Sequence, residues 1–139
     1  MGDGLHGVLH DGLHGGAPLL AAGAPLAQAQ AAMILVHGRG ASARDILTLA
    51  SEWDAPGMAF LAPQAANNTW YPNRFIAPVA SNEPWLSSAL AVLERLLAEL
   101  AAADIPPERT VLLGFSQGGC LALEYGARHP QRYGGLVGL

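Results

Sequence analysis

The sequence predicts an α/β domain, built on a mainly parallel sheet with helices on both faces. Three observations carry that prediction. The short runs "AAMILVHG", "GMAFLAP" and "TVLLGF" are almost continuously apolar, as strands buried on both faces are. Segments with helical spacing of leucines alternate with them, and strand-helix-strand order requires right-handed crossovers. The chain has 139 residues, 51% of them hydrophobic and 13% charged, which is enough for one domain with a sizeable core.

Residues 1–16 read as a flexible Gly/His leader, and 17–139 as the domain. The leader repeats "DGLHGVLH" as "DGLHGGAP", setting His6, His10 and His14 four apart. Its glycines each disfavour a helix by about 1 kcal/mol, and no carboxylate or thiol cluster completes a metal site. "PLLAAG" is an early strand, and Ala31 to Gly38 a buried one ending in a glycine turn. Ser42 with Asp45 three residues on is a capping-box variant, opening a helix that buries Ile46, Leu47, Leu49, Ala50 and Trp53. Gly57 to Pro63 is the next strand, stopped by its proline.

The stretch "QAANNTWYPNRFIAPVASNEP" is too rich in Asn and Pro for a regular element, and a loop of that length is commonly functional. The next helix takes Asn82 as N-cap, with Glu83 and Pro84 in its first turn. Leu86, Leu90, Leu93, Leu97 and Leu100 form its core-facing stripe. "IPPE" ends it, "TVLLGF" is a strand, and Gln117 to Arg128 form a helix stopped near His129-Pro130. "YGGLVGL" starts a further strand.

Charge and composition exclude several functions. Net charge is −4 with no basic run, so neither nucleic acid nor an anionic membrane surface is an expected partner. The apolar stretch Ala17 to Val36 is broken by Pro18, Pro25, Gln28 and Gln30, so no stable membrane insertion is expected. The lone Cys120 can form no internal disulfide and reads as a small buried hydrophobe. The start lacks the positive region of a secretory signal, which makes a cytoplasmic protein the default. Neither G-x-G-x-x-G nor G-x-x-x-x-G-K-[ST] follows any strand, and no metal or organic cofactor is implied.

Chemistry concentrates around Ser116. Gly114-Phe115-Ser116-Gln117-Gly118 matches G-x-S-x-G, directly after a strand and before a helix start. That context is what a serine nucleophile on a strained turn requires, with Gly114 and Gly118 letting strand and helix approach closely. Acyl transfer also needs donors aimed at the developing oxyanion. The Gln117 N–H lies at the turn itself, and the loop His37-Gly38-Arg39-Gly40 offers the Arg39 N–H as the second. His37 reads as a residue that fixes this loop rather than as a base.

"LVHGRGAS", the "PQA…TWYP" loop and "GFSQGG" before an aliphatic helix together resemble the phospholipase/carboxylesterase family of α/β-hydrolases, which includes acyl-protein thioesterases and lysophospholipases. The resemblance runs from about Ala31 to Leu139. It implies hydrolysis of small-molecule carboxylic esters or thioesters, with Ser116 as nucleophile and the N–H groups of Arg39 and Gln117 as oxyanion hole. It further implies a substrate pocket lined by Trp70, Tyr71 and Phe115. In that fold the acid and the histidine follow the serine along the chain, where this sequence offers only Glu124 and His129. By a rise of about 1.5 Å per residue, a helix puts His129 on the order of 18 Å from Ser116, whereas a base must reach within about 3 Å. The expectation is therefore a domain incomplete at its C-terminus, with triad acid and base absent from these residues. Its sheet edge would be open to self-association. The rival expectation is a non-catalytic α/β binding or interaction module that has lost the triad.

Overall fold

A computed structural model describes residues 13–74 and 76–139. Five strands form one sheet in the order β1-β3-β2-β4-β5, with β1 at Leu19–Gly23, β2 at Ala31–Val36, β3 at Met58–Pro63, β4 at Thr110–Gly114 and β5 at Gly135–Gly138. β2, β3, β4 and β5 run parallel, while β1 pairs antiparallel with β3, so the early strand exists but is turned against the rest. The apolar runs occupy the centre because they are covered twice: five of the six residues of β3 are buried, as are Ile34, Leu35 and Val36 of β2.

Helix α1 (Ala43–Leu47) covers one face, where Ala43 and Ile46 pack with Leu35, Phe60, Ala62 and Leu113. α2 (Trp85–Ala102) and α3 (Gln117–Arg128) cover the other. The Ser42 hydroxyl accepts from the Asp45 N–H at 3.1 Å, as the capping pattern predicts. α1 is shorter than its sequence suggests, giving way to a 3₁₀ turn over Thr48–Glu52. Trp53 lies past that turn and is 39% exposed, against the expectation of burial.

All five leucines of the α2 stripe are buried, joined by Ala89, Val92 and Leu96. The start of α2 differs from expectation. The helix begins at Trp85, and the Glu83 carboxylate caps it by accepting from the Ser87 N–H at 2.9 Å and hydroxyl at 2.7 Å. Asn82 instead folds inward, where its carbonyl oxygen accepts from the Asn73 N–H at 2.7 Å. α3 has the predicted bounds, Gln117 to Arg128. No helix among the described residues is long and apolar enough to cross a membrane.

The leader prediction divides at the described boundary. His6 and His10 lie outside the described residues, whereas His14 is 1% exposed and belongs to the packed domain. The domain's boundary therefore falls earlier than residue 17, because His14 finds partners on the long loop and on α2.

Candidate active site

β4 feeds directly into α3 through Phe115 and Ser116, and this junction is strained. Ser116 has φ 56° and ψ −117°, a left-handed conformation that L residues avoid and that costs on the order of 1–3 kcal/mol. The turn is possible because strand and helix touch backbone to backbone. A Cβ on Gly114 would strike the Gly118 carbonyl, and one on Gly118 the Val36 carbonyl at the end of β2. On the far side, the Ser116 N–H donates to the Leu139 carbonyl at 2.8 Å.

The loop after β2 lies against this turn. A Cβ on Gly38 would come within 3.4 Å of the Ser116 Cβ, and Gly40 carries φ +79°. His37 is 1% exposed and spends both ring nitrogens: Nδ1 donates to its neighbour's carbonyl at 2.8 Å, and Nε2 accepts from the Ala65 N–H at 3.0 Å. Burial holds it below its ordinary value, with the Gly38 carbonyl and Asp45 pulling the other way. Both bonds run to backbone groups, one of its own loop and one at the start of the long loop.

The long loop is knitted to both segments. The Gln117 side chain is 7% exposed; its carbonyl accepts from the Trp70 N–H at 2.8 Å, and its amide donates to the Tyr71 carbonyl at 2.9 Å. Arg39 donates to the carbonyls of Pro72 at 2.7 Å and Asn73 at 3.2 Å, and the Asn68 amide to the Ala41 carbonyl at 2.7 Å. Asn67 and Asn68 take the left-handed conformations that asparagine tolerates.

These contacts surround a cleft of about 550 Å³ lined by Arg39, Tyr71, Arg74, Ser116, Gln117, Cys120 and Leu139. Among the described residues, the N–H groups of Arg39 and Gln117 have no hydrogen-bond partner, whereas those of Gly40 and Gly118 are taken. An apolar groove of about 360 Å³ shares Tyr71 and Cys120 with the cleft and runs between the loop and α3, past Val79, Leu86 and Leu123. Burial pushes the Tyr71 phenol up to about 12, so it keeps its proton at any ordinary pH.

Most of the expected site residues meet here, with three corrections. Trp70 is fully buried, its indole N–H donating to the His37 carbonyl at 2.8 Å, so it is core beneath the cleft and not its wall. Phe115 is 57% exposed and borders a separate apolar hollow with Ile46 and Leu49. Cys120 is only half-buried and faces the cleft, since the first turn of α3 rotates it there. Arg74 and Leu139 were not anticipated, because no local pattern marks residues that meet only in three dimensions.

Three histidines fall among the described residues, and none approaches Ser116 as a base. The nitrogens of His14 and His37 are engaged, and His129, at the far end of α3, stacks on Tyr125 at 4.2 Å. Glu124 pairs with Arg128 at 2.6 Å.

Comparison with known proteins agrees with this architecture. The phospholipase/carboxylesterase family model matches residues 20–139. A crystal structure of a phospholipase/carboxylesterase from Dyadobacter fermentans DSM 18053 is 43% identical with a TM-score of 0.82, covering 88% of this chain and 62% of its own. The crystal structure of esterase PE8 is 29% identical with a TM-score of 0.67, covering 87% and 64%. NocK of Nocardia uniformis subsp. tsuyamanensis, named for esterase activity, is 30% identical over 126 residues, which are 88% of this chain and 34% of that protein. The chain thus spans less than two thirds of each of these relatives.

Proposed function

The chain belongs to the phospholipase/carboxylesterase family, and we propose that it contributes the nucleophile, oxyanion hole and substrate cleft of a carboxylic-ester or thioester hydrolase. The observation that carries this reading is Ser116 held at φ 56° between β4 and α3, with its cleft bordered by Arg39 and Gln117. Ser116 Oγ attacks the acyl carbonyl. The free N–H groups of Arg39 and Gln117 receive the oxygen that becomes negative, an interaction typically worth roughly 3–4 kcal/mol of barrier per donor. The acyl or alcohol chain lies along the apolar groove past Tyr71 and Cys120. Collapse of the tetrahedral intermediate breaks the bond to the alcohol or thiol, which leaves with the proton taken from the serine. Water then hydrolyses the acyl-serine to release the acid and restore the hydroxyl. The base that takes the serine proton, and the acid that orients it, come from residues other than the described ones, since each described histidine is engaged or distant.

That same histidine accounting favours a second reading, a module that binds through the cleft without turning over. A chromogenic short-chain ester assay on this chain and on Ser116→Ala separates the two. A rate that falls to background in the variant supports the nucleophile. Equal rates remove Ser116 from any role, and ester binding without turnover in both favours the module. A cytoplasmic location, and self-association through the edge strand β5 with Leu136 and Leu139 exposed beside it, belong to the same proposal. Sedimentation at rising concentration tests the latter.

A further inference from the structure

Two consecutive backbone N–H groups of the long loop are held by two different imidazoles. Ala65 N–H donates to His37 Nε2 and Ala66 N–H to His14 Nδ1, both at 3.0 Å. His14 Nε2 in turn donates to the Trp70 carbonyl at 2.7 Å, so its one ring spans both ends of segment 66–70. The indole of Trp70 lies against both imidazoles, its centroid 5.1 Å from each. His14 is itself pinned to α2, its backbone N–H donating to the Ser88 hydroxyl at 3.0 Å. Past Trp70 the segment is tied to Gln117, beside Ser116.

We propose that His14 is a positioning residue for the Ser116 cleft, and that His14 and His37 form an acid-released latch on segment 65–71. The chemistry is direct. A ring nitrogen that accepts an N–H bond must be unprotonated, so a proton on His14 Nδ1 or His37 Nε2 expels the Ala66 or Ala65 N–H. The segment then lifts, carrying Tyr71 away from the cleft.

The surroundings oppose charge in the closed state. Burial lowers His14 first, against the upward pull of the Trp70 and Trp85 backbone carbonyls, and His37 nearby lowers it further. The groups packed on His14 from α2 are Ser88 and the Trp85 ring; on His37, Asp45 of α1 is the facing charge, and it favours protonation. Both imidazoles lie below their ordinary value of 6.5 in the closed state, so the released state takes up protons first. The latch is fully closed above that value and weakens as pH falls beneath it.

The loop can be read without any enzymatic rate, so failure of the latch is distinguishable from failure of the hydrolase reading on which its catalytic meaning rests. Amide exchange of the ¹⁵N-labelled chain, corrected for intrinsic rates, is followed from about pH 8 to about pH 4.5. Ala65 and Ala66 should lose protection by at least about tenfold while Ile34 and Leu112 of the sheet keep theirs. His14→Gln offers the same acceptor and donor without titrating, and should keep Ala66 protected at the acid end. Loss of protection at Ala66 and Ile34 together, retention of both throughout, or unchanged acid opening in His14→Gln would each overturn the latch. If His14→Gln fails to fold, the Ala66-to-Ile34 ratio in the unaltered chain still decides the matter.

Discussion

The turn bearing Ser116 and the loop bearing Trp70 meet at one cleft, yet they are held by different physics. The turn is fixed by sterics: Gly114, Gly118 and the end of β2 touch backbone to backbone, leaving no room for a methyl group. The loop is fixed by directed polar bonds from three distant segments, supplied by His14, His37 and Gln117 around a buried indole. Close packing of this kind is all-or-none, whereas hydrogen bonds can be removed one at a time or by a proton. A nucleophile needs the first kind of support. A cleft wall can use the second.

The sharpest way to break that contrast is Gly118→Ala. Its new methyl would meet the backbone carbonyls of Val36 and His37, neither of which can step aside without moving β2. We expect a loss beyond about 5 kcal/mol, the exceptional range for single substitutions, and no folded protein by circular dichroism. A cooperative melt near the unaltered one would mean that the turn tolerates slack and that the two regions are held by similar means.

Trp70→Ala comes next. It removes a fully buried indole packed against both His14 and His37, so it should destabilise by about 3–5 kcal/mol in urea unfolding. A change below about 0.5 kcal/mol, the range of surface substitutions, would return Trp70 to the cleft wall. Gln117→Ala is milder, at about 2–3 kcal/mol, because the Trp70 N–H and Tyr71 carbonyl lose a partner while some water can enter from the cleft. It should raise KM for any ester substrate more than it lowers kcat. An equal fall in kcat and kcat/KM would instead tie the side chain to the transition state.

The same contrast explains what the sequence could reveal. The turn was legible because its requirements are local: a glycine two residues either side of a serine, after one apolar run and before a helix. The α2 leucine stripe and the Ser42 cap were legible for the same reason, each being a pattern within one or two turns. The loop's supports were not. His14 contacts Ser88 and Trp70, 74 and 56 residues away, so a glycine-rich flank concealed a core residue. Asn82 looked like an N-cap because its type suits one, but the Asn73 N–H reached its side chain first and Glu83 took over the capping. Trp53 looked like core until α1 ended early and left it on the rim.

The smallest predicted effect has the opposite sign and isolates the turn's own strain. Ser116 holds φ 56° with a side chain, where glycine would be at ease. Ser116→Gly should therefore recover strain of about 1–3 kcal/mol, offset by about 0.4–1 kcal/mol because glycine frees the unfolded chain. The net gain is about 1 kcal/mol, seen as a melting temperature raised by about 4 °C. Ser116→Ala is the control, since alanine keeps the Cβ and hence the strain while also lacking the hydroxyl. The difference between the two variants reports backbone strain less the unfolded-chain entropy that glycine adds. If Ser116→Gly melts no higher than Ser116→Ala, the strain is no larger than that entropy, and the turn's rigidity comes mainly from the neighbouring glycines. If the gain appears, a side chain is being kept where the backbone prefers none, and an exposed hydroxyl at the mouth of the cleft is what that strain maintains.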